Sequence, residues 1–153
     1  MLTERRDHLD YMAARFAPFV RKVIVFRGGM SARERDSALI ALRSAEPGER
    51  LVLATGRYLG EGFDYARLDT LFLTLPISWK GTLAQYVGRL HREHVDKRDV
   101  LVVDYVDLSV PMLARMAAKR HKGYRNLGYL VEPVALSASD PSTATKFVPS
   151  TGG

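Results

Sequence analysis

The chain has 153 residues, 46% hydrophobic and 26% charged, with no cysteine and a formal net charge of +6. Those values exclude wholesale disorder, disulfides and thiolate metal sites, and the basic balance suits a polyanionic partner. No apolar run approaches the roughly 20 residues a membrane helix needs, and the charged start MLTERRDHLD has no secretory apolar core, so a soluble, cytoplasmic protein is expected.

Leu2-Thr3 reads as the stub of a strand whose opening part is missing from this chain. Leu9, Met12, Ala13, Phe16 and Val20 recur at three- and four-residue spacing, one face of a helix. Val23-Ile24-Val25-Phe26 follows as a buried strand, then Gly28-Gly29 leads to Ser31 and Glu34, a capping-box pair. Ala38, Leu39, Leu42 and Ala45 continue that helix, and Leu51-Val52-Leu53-Ala54 is the next strand. A glycine-punctuated polar loop runs from Thr55 to Asp64, ahead of a strand at Leu71–Leu75. A helix is expected over about Gly81 to Glu93, a strand at Val100–Val103, and a last helix after Ser109 with Pro111 in its first turn. From about Pro133 the composition turns to Ser, Thr, Ala and Pro. The pattern predicts an α/β, three-layer domain with a mainly parallel sheet over residues 1–132, and a flexible tail over 133–153.

Ligands of parallel α/β sheets gather at the carboxyl ends of the strands. Gly28-Gly29 before a capped helix start offers backbone N–H groups to a phosphate, helped by Arg33 or Arg35; a plain tight turn needs the same glycines. Thr55-Gly56, Gly60-Glu61-Gly62 and Asp64 form a loop that fits a phosphate and a sugar hydroxyl, and equally a surface loop with glycine turns. Tyr65 stands where a dinucleotide fingerprint needs its third glycine, so that reading fails. In GTLAQYVGRLHREH, at roughly 100° per residue, Gln85, Arg89 and Arg92 fall within about a 60° wedge. Gly88 lies on the same polar side, and Leu83, Val87 and Leu90 form an apolar stripe opposite. Two guanidiniums aimed one way suit a phosphoryl group; Glu93 and Asp96 are the carboxylates that would instead make this a solvated, paired face. His91 and His94 lack an evident third metal ligand. Asp104 and Asp107, three apart at a strand end, read as an acid–base pair or a cation site, or else Asp107 and Ser109 cap the next helix. Trp79 reads as a base-stacking ring or a loop anchor.

An A-T-G-x-x-x-G-E-G-x-D segment followed by Q-x-x-G-R-x-x-R on the next helix resembles motifs V and VI of superfamily-two helicases. The stretch ATGRYLGEGFDYARLDTLFLTLPISWKGTLAQYVGRLHRE is most similar to bacterial DEAD/DEAH-box proteins related to restriction-type helicases, and the likeness is to the second of their two RecA-like domains. The resemblance implies that Arg89 and Arg92 are arginine fingers on the γ-phosphate of ATP and that Gln85 senses the nucleotide. It places Gly62 and Asp64 near the ribose, with Gly88 open to the nucleotide, and gives Thr55, Gly56, Gly29 and Ser31 to a nucleic-acid backbone, DNA being favoured. ATP and Mg would be bound mainly by an N-terminal helicase domain. Tyr86 stands where many DEAD-box relatives have arginine, and the chain contains no G-x-x-x-x-G-K-[ST] and no D-E-x-[DH]. The expectation is therefore the C-terminal half of an ATP-dependent translocase, inactive alone; the alternatives are a non-enzymatic nucleic-acid-binding module or a truncated relic.

Overall fold

Valine, isoleucine and leucine runs form strands and the amphipathic stretches between them form helices, because side chains buried on both sheet faces leave no polar period in the strands. The computed structural model describes residues 1–3, 5–44, 48–55, 65–74, 77, 81–134 and 142–149. They belong to two compact units, Met1–Phe63 and Asp64–Gly153. Both have the α/β architecture expected of a RecA-like chain.

The first unit contains β1 (Leu2–Thr3), α1 (Arg6–Phe16), β2 (Lys22–Phe26), α2 (Ala32–Arg43) and β3 (Arg50–Thr55). Its strands are parallel in the order β2-β3-β1. The register sets Phe26 beside Ala54 and Thr3 beside Thr55, so all three strands end at one edge. The two residues of β1 are a true ladder: Met1 extends it, its carbonyl accepting from Ala54 N at 3.0 Å. The β1-to-β2 crossover runs one way across the sheet and the β2-to-β3 crossover runs back. Right-handed connections therefore put α1 and α2 on opposite faces. Leu2, Leu9, Phe26, Leu42 and Leu53 fill the core, each contributing roughly 1.5–3 kcal/mol of apolar burial.

The second unit contains β4 (Thr70–Leu73), α3 (Gly81–Leu90), β5 (Leu101–Asp107), α4 (Pro111–Asn126), β6 (Tyr129–Val134) and β7 (Ser142–Pro149). β4 and β5 are parallel, β7 is antiparallel to β5, and β6 is antiparallel to β7. Leu73, Leu83, Val87, Val102 and Tyr124 are wholly buried. Pro111 occupies the first turn of α4, where its missing N–H costs nothing. Among the described residues no helix is long and apolar enough to cross a membrane.

The C-terminal segment departs from the sequence expectation. Residues 133–153 read as a mobile tail, yet Ser142–Pro149 is a strand bonded to β5 on one side and β6 on the other. Backbone pairing on both sides holds it, and Thr, Phe and Val suit the extended conformation. Pro133 is accommodated because β6 ends the ladder order and needs only one side paired.

Candidate functional site

The strand-end edge of the first unit gathers several polar groups. β2 ends at Phe26 and turns through Gly28-Gly29 into α2. Gly29 has φ +83°, a left-handed conformation that glycine adopts without a Cβ penalty. The Arg6 guanidinium lies over this turn: a Cβ built on Gly29 would sit 3.1 Å from Arg6 Nη2, and one on Gly28 3.7 Å away. Thr55 ends β3 at the same edge, and Thr3 beside it shares a 2.9 Å hydrogen bond with His8 Nδ1. Ser31 is the N-cap of α2, its side chain accepting from Glu34 N at 3.2 Å. Glu34 Oε2 accepts from Ser31 N at 2.7 Å, completing the capping box. The Ser31 hydrogen bonds hold the Glu34 carboxyl below its ordinary pKa. The helix start is thus already faced by a carboxylate of its own, and an arriving phosphate has to displace it. Arg6 escaped the sequence reading because its proximity to the glycines comes from the pairing of β1 with β3.

In the second unit α3 has the two faces its sequence predicts. Leu83, Tyr86, Val87 and Leu90 are buried, while Gln85 and Gly88 are exposed and Arg89 is half-buried. No atom of a described residue lies within 4 Å of a Cβ built on Gly88. Tyr86 turns to the core and is 5% exposed. The helix is shorter than expected: it stops at Leu90 rather than near Glu93. Arg92 follows in a tight turn in which His91 N bonds Gly88 O at 3.2 Å and Arg92 N bonds Arg89 O at 3.3 Å. Lys97 explains the stop. Its Nζ donates to Leu90 O at 2.8 Å and Arg92 O at 2.7 Å, taking up carbonyls that a helix end leaves unpaired. Burial pushes the Lys97 ammonium below its ordinary pKa. Arg89 and exposed Arg92 therefore come from consecutive turns of one clamped segment, Arg92 outside regular helix.

Behind α3 lies a polar cluster that sequence reasoning assigned otherwise. Asp104, on β5, is wholly buried and receives Arg120 Nε at 2.8 Å and Nη2 at 2.9 Å. Arg120 Nη1 donates to the Ile77 carbonyl in the β4–α3 connection. Asp107 accepts from Ser109 N at 2.9 Å instead, so the two aspartates form no acid–base pair. Asp107 also does not cap α4, whose N-cap is Val110. Tyr124 is wholly buried, its phenol pushed well above the ordinary range by burial and then by the Asp104 charge. Tyr129 OH and His91 Nε2 share a 2.7 Å hydrogen bond. Burial raises Tyr129 to about 12 and, with the Lys97 charge, lowers His91. His91 thus faces Tyr129, while His94 Nδ1 accepts from Asp96 N at 3.2 Å. A lone acid inside the run VLVVDYV, with an arginine at an inward α4 position, was the available signal for the Asp104–Arg120 pair.

The predicted residues divide accordingly. Gly29, Ser31 and Thr55 share the first unit's strand-end edge, and Gln85, Gly88, Arg89 and Arg92 share one segment of the second. Gly56, Gly62, Asp64 and Trp79 lie outside the described residues. No group of three or more metal-ligating side chains occurs among the described residues.

No family model matches the chain. It is 33% identical over 98 residues to Uncharacterized protein 108L of Invertebrate iridescent virus 3, a match covering 62% of this chain and 88% of the viral protein. At that identity and coverage, the chain belongs to the same family as the viral 108L protein.

Proposed function

We propose that this chain acts as the C-terminal RecA-like half of an ATP-dependent DNA translocase, supplying cations and backbone contacts to a nucleotide site completed by another lobe. One observation carries the reading: α3 and its C-terminal turn present Gln85, Gly88, Arg89 and Arg92 from a segment whose other face is locked into the core. Arginine is permanently charged and forked, so two guanidiniums from a rigid segment match the oxygens of a transferring phosphoryl group. Gly88 lets the triphosphate or the opposing lobe approach the helix backbone.

ATP is the substrate in this reading, and Mg would be held by acidic groups of the partner lobe. The Gln85 amide and the Arg89 and Arg92 guanidiniums fit the anionic end of the nucleotide. Arg6, Gly29 and Thr55 offer a guanidinium, a backbone N–H and a hydroxyl to DNA phosphates, contacts that read no sequence. Ser31 joins them only when Glu34 gives way.

The test compares hydrolysis by the purified chain with hydrolysis after adding a P-loop-bearing lobe encoded in the same genomic neighbourhood. The chain alone is expected to be inactive, and the mixture is expected to hydrolyse ATP faster than the lobe alone, more so with DNA. Helicase-like turnover by the isolated chain, or no stimulation of the lobe, would overturn the proposal.

A further inference from the structure

We infer that the outer face of α4 is a docking surface for the phosphate backbone of DNA, separate from the residues already assigned and independent of any nucleotide. Helix α4 reads PMLARMAAKRHKGYRN, with five basic residues, Arg115, Lys119, Arg120, Lys122 and Arg125, and no acidic one. Arg120 is 2% exposed and consumed by Asp104. Arg115, Lys119, Lys122 and Arg125 are exposed, and none of them makes an ion pair with a described residue. At 100° per residue Arg115, Lys119 and Lys122 fall within about 60° of one another, opposite the wedge of buried Ala117, Arg120 and Tyr124. The cations therefore share one direction because the other side of the helix is spent on the core.

Their spacing suits a nucleic-acid strand. Residues 115 to 122 span about 10.5 Å of helix axis at 1.5 Å per residue. A strand of duplex DNA presents a phosphate about every 3.4 Å along its axis, so about three phosphates lie within the reach of three cations. Other anionic partners fit less well. An interfacial membrane helix inserts its apolar side between lipids, whereas the apolar side of α4 is packed against the protein interior. An acidic protein partner would need large anchors among the cations; exposed Met112 lies in the first turn, and exposed Ala118 and Asn126 farther along are small or polar. The helix itself carries no carboxylate to compete with the phosphates.

The full chain is titrated without nucleotide against a short labelled DNA duplex over a series of salt concentrations. Wild type is compared with R115Q/K119Q/K122Q and with R15Q/R43Q/R98Q, which removes equal charge from exposed positions elsewhere. Loss of three phosphate contacts should make the slope of log K against log salt shallower by about 2.7 in the α4 variant, and K119Q alone should lower it by about 0.9. The control triple should change it much less. Equal loss in both triples, no DNA binding by wild type, or tighter binding to polyglutamate or phosphatidylserine vesicles would overturn the assignment. Because no ATP is present, this result stands apart from the hydrolysis test: either reading can fail without the other.

Discussion

An aspartate in the middle of a buried strand needs a partner that replaces water. Asp104 has that partner in Arg120, which meets both carboxylate oxygens and carries a further N–H to Ile77 O. Removing one member leaves the other charge stranded, so Arg120→Met should destabilise the fold by about 3–5 kcal/mol, measured by urea denaturation. The double variant D104L/R120M should recover much of that loss, since a buried pair contributes little over well-packed apolar groups. Equal or additive losses would show that the pair does not act as one unit. His91 gives a pH signature. Its folded pKa lies below the ordinary 6.5, as does that of His121. The unfolded chain therefore takes up more protons, and stability should fall as pH drops below about 6.5 toward the lowered folded values, levelling off beneath them. In melting scans between about pH 5 and 7, H91Q should show a weaker dependence than wild type; an unchanged slope would assign the effect elsewhere. The residue pairs themselves were poorly legible in the sequence. Asp104 and Arg120 are 16 residues apart and meet only after β5 and α4 pack, and Arg6 reaches Gly29 only through the strand order.

Helix α3 shows what periodicity can and cannot specify. Its buried stripe of Leu83, Val87 and Leu90 was readable, because the stripe follows from helical spacing alone. Its end was not, because the two carbonyls there are capped by Lys97, a residue beyond the helix. Lys97→Met should cost about 1 kcal/mol and loosen the segment carrying Arg92, seen as faster amide exchange at residues 90–92 with α4 unchanged. Uniform exchange across the unit would contradict the capping role. Gly88→Ala separates stability from function. Open space around Gly88 accepts a methyl group, so the variant should gain about 0.5–1 kcal/mol of stability, the ordinary helix preference for alanine. If an opposing lobe or triphosphate approaches that backbone, the same variant should lose stimulated ATP hydrolysis. Full activity with raised stability would remove Gly88 from the site. The capping box at Ser31 was legible from two residues, and Gly29 from its place after a strand. Their combined electrostatics were not, since Glu34 covers the helix start that the sequence offered to a phosphate.

At the scale of the chain, the alternation of apolar strands and amphipathic helices was enough to give the α/β class, with three parallel strands in the first unit and two in the second near their expected positions. β7 was missed because it is defined by neighbours on both sides rather than by its own Ser- and Thr-rich pattern. The kinship with the viral 108L protein, 33% identical over 98 residues, names no activity. It leaves the chemistry to be tested at α3 and its turn, where the amide and guanidinium groups stand on one braced segment. The most direct measurement is DNA-stimulated ATP turnover by the chain combined with a P-loop-bearing lobe, comparing wild type with R89A and R92A. Each variant is predicted to lower kcat by about a thousandfold or more, as loss of an arginine finger does, while DNA affinity stays near wild type. Unchanged kcat, or a loss of turnover matched by an equal loss of DNA affinity, would contradict a role at the phosphoryl group.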